Sequence, residues 1–162
     1  MGDAWLLDDG TRLESFEEFA ARNEPRLRAG LSASFGTELG REVTVDALTY
    51  GWQNWDRVGS MANPVGYLYA VGRSRAARLR RRRRHRLPPP SVDYRSPWVE
   101  PGLPDAMASL TDRQRTVVAL HHGYEWSLRE IADLTGLKKS SVQNHLRRGM
   151  KKLQRKLGVD DA

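Results

Sequence analysis

Six of the eight prolines in this chain fall within one stretch, residues 87–105, LPPPSVDYRSPWVEPGLPD. Proline fixes φ and removes a backbone donor, so neither a helix nor a sheet ladder is expected to persist there. The stretch predicts a flexible linker over residues 87–109, with one folded unit on each side, over 15–86 and 110–158. Residues 1–14 read as an N-terminal extension and residues 159–162 as a tail. The whole chain has 162 residues, so both units are small.

The flanking sequence asks for helices. In a capping box, a Ser or Thr and a Glu or Gln three residues on satisfy each other's exposed backbone N–H groups. Four such pairs stand ahead of apolar periodicity: Ser15 with Glu18, Thr111 with Gln114, Ser127 with Glu130, and Ser140 with Gln143. After Ser15, the spacing of Phe16, Phe19, Leu27 and Leu31 predicts a helix that Pro25 kinks or restarts. Val45, Leu48, Trp52 and Trp55 predict a second, with both tryptophans in the core. Residues 56–63 read as a polar loop, and Pro64 suits the first turn of the next helix. Val65, Leu68, Gly72, Ala76 and Leu79 then form one apolar stripe. No segment alternates with period two, so the expected class is all-α: two small helical domains joined by a Pro-rich linker.

Charge is segregated along the chain. The 27 Lys and Arg against 20 Asp and Glu give a net +7. Residues 1–72 hold 6 basic and 11 acidic side chains, whereas residues 73–86 hold nine arginines and no acid. Residues 110–157 hold 11 basic and 4 acidic side chains. Two concentrated positive blocks are the footprint of a polyanion binder, and the acidic front half hints at a second partner.

Other function classes are not supported. The absence of cysteine excludes disulfides, thiolate zinc sites and thiol redox sensing. No apolar run reaches the roughly 18–20 residues of a membrane span. The segment from Met1 to Asp9 carries three acids and no base, unlike a secretory signal, so a cytoplasmic protein with no membrane partner is expected. His121 and His122, with Glu125 nearby, point about 100° apart on a helix, and no third metal ligand is evident. Ser127, Ser140 and Ser141 lack a paired base and read as caps. There is no Walker loop and no GxGxxG. No enzyme, cofactor or small-molecule substrate is expected.

The most specific pattern lies in residues 110–157. Val117 and Leu120 mark one helix; Leu128, Ile131, Ala132 and Leu134 mark a short second one, ended by Gly136 as a left-handed C′ residue. Val142, Leu146, Met150, Leu153 and Leu157 mark a third. A short helix, a Gly-containing turn and a longer helix make a helix-turn-helix. With Val142 and Leu146 turned inward, Lys139, Gln143, Asn144, Arg147 and Arg148 face out. Such residues donate to phosphates and read base edges, Gln or Asn on adenine and Arg or Lys on guanine.

The run LTDRQRTVVALHHGYEWSLREIADLTGLKKSSVQNHLRRGMKKLQRKLG resembles region 4 of sigma-70-family factors, above all the short extracytoplasmic-function (ECF) group. It also resembles the LuxR/NarL-type helix-turn-helix. The front half separates the two. YGWQNWDRVGSMANPVGYLYAVGRSRAARLRRRRRHRL, with its WxxWDR element and arginine-rich end, resembles region 2 of ECF sigma factors, as FEEFAARNEPRL resembles the opening helix of that family. No receiver strands of a response regulator are visible.

The resemblance implies a transcription initiation factor that binds core RNA polymerase and directs it to promoters. Residues 15–86 would dock on polymerase and melt the minus-ten element; residues 110–158 would read the minus-thirty-five element. The upstream readers would be Lys138, Lys139, Ser141, Gln143, Asn144, His145, Arg147 and Arg148. A melted strand needs stacking platforms and polar pockets, worth about 1–3 kcal/mol per stacked base. Tyr67, Tyr69, Asn63 and Ser60 are the candidates, with Arg73, Arg75, Arg78, Arg80, Arg81 and Arg82 on the backbone. Docking on the polymerase β′ clamp helices would fall to Glu42, Asp46, Tyr50 and Asp56. The stretch REVTVDALTYGW departs from the family pattern there: Val45 stands where Gln is usual and Arg41 where an acid is common. Further expected partners are promoter DNA, the polymerase β flap and an anti-sigma factor. The alternative is a sigma-like or LuxR-type DNA-binding regulator without initiation activity.

Overall fold

The computed structural model describes residues 14–84 and 102–159, all of whose regular structure is helical. α1 (Phe16–Phe35) starts on the expected capping box: Ser15 Oγ accepts from the Glu18 N–H at 3.2 Å, and the Glu18 carboxylate accepts from the Ser15 N–H at 3.0 Å. The helix runs through Pro25 without restarting. A turn at Gly36 leads to α2 (Thr37–Gln53).

The core stripe of α2 is not the one read from the sequence. Leu39, Val43, Ala47 and Gly51, four residues apart, turn inward, while Val45 and Trp52 are 63% and 62% exposed. The inward stripe holds small residues, which let α1 and α2 approach closely: a Cβ built on Gly40 would lie 2.5 Å from the Ser32 backbone. Trp52 therefore had no room on that face. Trp55 does join the core, its ring 5.4 Å from Phe16 and 4.8 Å from Phe19, with Nε1 donating to the Glu14 carbonyl at 2.9 Å.

Trp55 opens a single helical turn, α3 (Trp55–Val58), so the expected loop at 56–63 is partly helix. α4 (Pro64–Arg84) follows, capped by Asn63, whose Oδ1 accepts from the Gly66 N–H at 2.9 Å. Val65, Leu68, Gly72 and Ala76 form its buried stripe as expected.

The linker reading fails at its far end. α5 (Leu103–Ala108) lies inside residues 87–109 because Pro104 occupies the first turn, where its missing N–H has no intrahelical partner to lose. The prolines at 88–101 lie outside the described residues. α6 (Asp112–Val118) runs into a π turn (Ala119–Gly123). α7 (Leu128–Thr135) ends at Gly136, φ +68°, and α8 (Lys139–Leu157) completes the helix-turn-helix. The boxes at Thr111 and Ser127 form. The one at Ser140 does not: α8 begins two residues earlier than that cap would start it, Lys138 precedes it without a side-chain cap, and Ser140 sits inside the first turn.

The two halves do not hang apart. Val117, Leu120, Ile131, Leu134 and Val142 share one apolar cluster with Leu27, Leu31, Val43 and Leu68. The seam sets α1 and α4 against α6 and α7. A second cluster, Ala106, Leu110, Val118 and Leu153, holds α5 onto α6 and α8.

Candidate nucleic-acid interface

The reader helix presents its polar side as expected. Val142 is fully buried against the core, and that anchoring turns Lys138, Lys139, Gln143, Asn144, Arg147 and Arg148 to solvent. Ser141 and His145 are half-buried. Asn144 Oδ1 accepts from the Arg147 guanidinium at 3.4 Å, a long bond that leaves the amide available. Burial pushes the His145 imidazole below its ordinary pKa, helped by the positive charges of Arg113 and Arg148. His145 therefore favours its neutral form, a donor or acceptor rather than a charge.

On the front half the candidates divide. Tyr69 is 2% exposed, with its hydroxyl 3.4 Å from Ser34 Oγ. It is a core residue, and its nomination as a stacking platform is corrected: two steps along a helix rotate a side chain by about 200°, which carries Tyr69 inward while Tyr67 stays at the rim. Tyr67 belongs to a cluster on the surface. Its hydroxyl lies 3.3 Å from that of Tyr50, and the Arg57 guanidinium donates to Tyr50 at 2.5 Å and to Tyr67 at 3.2 Å. The guanidinium carbon also sits 5.4 Å from the centre of the Tyr67 ring. Hydrogen bonds from the Tyr50 hydroxyl and from Arg57 lower the Tyr67 pKa. Tyr50, nominated for polymerase, thus stands beside the minus-ten candidates.

Ser60 is exposed, donating to the Arg57 carbonyl at 2.9 Å. Asn63 is committed twice, as the α4 cap and through Nδ2 to the Asp133 carbonyl at 2.6 Å. Of the arginines on α4, Arg75 pairs with Asp46 at 3.4 Å and Arg83 with Glu42 at 2.9 Å. Arg80 pairs with Asp112 at 3.1 Å and lies over the Phe35 ring at 4.9 Å. Arg78, Arg81 and Arg82 are exposed and pair with no carboxylate among the described residues. Arg73 is half-buried. Glu42 and Asp46, nominated for polymerase, are therefore engaged within the front half, whereas Asp56 is exposed.

Sequence reasoning missed Arg57 and Arg115. Arg57 lies two helical turns beyond Tyr50, a spacing that could have paired them. Arg115 has no such signal, because most of its partners are main-chain carbonyls.

Comparison with known proteins matches this geometry to a family over the rear half. Residues 102–153 match the family model Sigma-70, region 4. That span covers α5 to α7 and most of α8. The Positive control factor of Bacillus subtilis (strain 168) is 45% identical over 51 residues, which are 32% of this chain and 30% of that protein. The chain thus aligns with about a third of the length of that curated relative. The sigma factor RpoE of Bartonella quintana, solved in complex with the anti-sigma factor NepR, superposes with a TM-score of 0.59 at 20% identity. The superposition covers 90% of this chain and 98% of that one, so the all-α arrangement is shared across both halves. Among the described residues, no helix is long and apolar enough to cross a membrane.

Proposed function

We propose that this protein is a sigma factor of the ECF type, directing core RNA polymerase to promoters. The observation that carries the reading is the exposed polar face of α8, set on a region 4 match. Lys138, Lys139, Arg147 and Arg148 grip phosphates of the upstream element, while Gln143 and Asn144 read base edges. The front half holds the melted strand: Tyr67 offers its ring, Arg57 its guanidinium, Ser60 and Asn63 polar groups, and Arg78, Arg81 and Arg82 meet the backbone. Polymerase docking uses α2, where Trp52 and Val45 are exposed, together with the exposed Asp56 of α3. The test is co-purification with core polymerase followed by run-off transcription. Promoter-specific transcripts are expected; duplex binding without core association would refute initiation.

A second reading is a DNA-binding regulator that does not initiate. The pairing of Glu42 and Asp46 with Arg83 and Arg75 favours it, because acids offered to polymerase are already spent inside the chain. An anti-sigma partner, as in the RpoE complex, fits the first reading and would be sought by pull-down with the whole chain.

A further inference from the structure

Tyr50, Arg57 and Tyr67 come from three successive helices, α2, α3 and α4, and meet at one point on the surface. Their hydrogen bonds leave a definite remainder. Arg57 Nη2 donates to both hydroxyls, and the contact of 3.3 Å between the hydroxyls occupies one of the two O–H protons. The other O–H proton is left over, whichever tyrosine donates. Nε and Nη1 of Arg57 bond nothing else among the described residues, and a guanidinium accepts from no partner. Both phenol oxygens already accept from Arg57. The edge turned to solvent is therefore built of donors.

The charge at this edge is held differently from its neighbours on α4. Arg75, Arg80 and Arg83 face carboxylates, whereas Arg57 is exposed and pairs with no carboxylate among the described residues. Two neutral phenols fix the direction of the fork without cancelling its charge. The guanidinium carbon stands 5.4 Å from the Tyr67 ring centre, so a base laid on that ring brings its hydrogen-bonding edge to the fork. A backbone phosphate has no need of the ring, and exposed Arg78, Arg81 and Arg82 already offer it cations. Donors reject amino groups. Adenine sets an amino group beside N7 and cytosine carries one at C4, whereas guanine sets two acceptors, O6 and N7, side by side. The other acceptor pair of cytosine adjoins its glycosidic bond and would drive the sugar into the fork.

We infer that this cluster is a guanine-selecting subsite. Tyr67 is the stacking platform, Arg57 reads O6 and N7, and Tyr50 is the positioning residue that keeps the Arg57 fork in line. The inference rests on the reading that the front half holds a melted strand, and it adds the identity of one base in that strand.

Fluorescence anisotropy tests it on thymine strands of about twelve nucleotides, each with one central guanine, adenine, cytosine or 7-deazaguanine. The whole chain should bind the guanine strand at least about fivefold more tightly than each of the others. Arg57→Gln and Arg57→Lys should both bring that ratio below about twofold, because neither side chain keeps the planar cationic fork. Tyr50→Phe should lower the ratio as well, although the Tyr67 ring remains. A cluster that merely clamps three helices together would lower the melting temperature of these variants and leave the ratio where it is, which would overturn the inference. So would a wild-type chain with no guanine preference, a 7-deazaguanine strand bound as tightly as the guanine strand, or an Arg57→Lys chain that kept the preference. In each of those cases the strand reading stands. If no single strand bound at all, the strand reading itself would fail and take this subsite with it.

Discussion

The Arg115 guanidinium donates from Nη1 to the Ser34 carbonyl at 2.9 Å, while Nε and Nη2 reach the carbonyls of Met107 at 3.1 Å and Leu110 at 2.8 Å. One side chain on α6 thereby closes the end of α5 and holds the end of α1. Its side chain is only 19% exposed, so removing it strands carbonyls away from water. Arg115→Met should destabilise the chain by about 2 kcal/mol or more, since bonds to charged groups are worth about 1.5–3 kcal/mol each. Arg115→Lys should recover only part, lacking the planar fork. Urea unfolding at constant m-value measures both, and an unchanged midpoint for Arg115→Met would reject this role.

The two tyrosines of α4 should separate stability from binding. Tyr69→Ala removes a buried ring and should cost about 3–5 kcal/mol of stability. Tyr67→Ala should leave the fold nearly intact and weaken single-strand binding by about 1–3 kcal/mol. Fluorescence anisotropy with a short oligonucleotide, beside thermal melts, checks the pair. A Tyr69→Phe variant that lost DNA affinity as much as Tyr67→Ala would return Tyr69 to the site.

Base reading and phosphate gripping should also part. Asn144→Ala should relax sequence preference, at about 1–3 kcal/mol for a lost base contact, whereas Arg82→Ala should weaken all sequences alike and flatten the salt dependence. Titrations on cognate and scrambled duplexes over a salt series decide this. Equal loss on both duplexes would remove Asn144 from the reader set.

His145 supplies a pH dependence with a definite sign. Its pKa is lowered in the folded chain below the ordinary 6.5, so the unfolded chain binds the proton more tightly. Its contribution to stability is therefore full above pH 6.5 and lost as pH falls from there through the folded value. DNA phosphates favour the protonated ring, so affinity should rise over the same acid range. Chemical denaturation and anisotropy across that range, with His145→Gln as reference, test both slopes. Identical pH profiles for the variant would exclude the residue as their source.

Local signals carried the helix-turn-helix. Thr111, Ser127 and Gly136 punctuate it through contacts within a few residues, and the stripe from Val142 to Leu157 repeats long enough to fix a face. The inward face of α2 was not legible, because Gly40 and Gly51 matter through what they allow to approach, which hydrophobic spacing cannot express. Tyr69 was misread for a related reason: its burial comes from Ser34 and Gly30, more than thirty residues earlier. The seam was invisible altogether, since Ser34, Thr116 and Asn63 are polar residues whose partners lie in the other half.

The pairs joining Glu42 to Arg83 and Asp46 to Arg75 make α2 a source of built-in counter-ions for α4. A loosely held nucleic acid would have to displace those carboxylates, gaining little from the exchange that ordinarily rewards adventitious binding. The front half should therefore be less adhesive toward bulk cellular RNA than its guanidinium content suggests, leaving selectivity to ligands that also satisfy Tyr67 and Arg57.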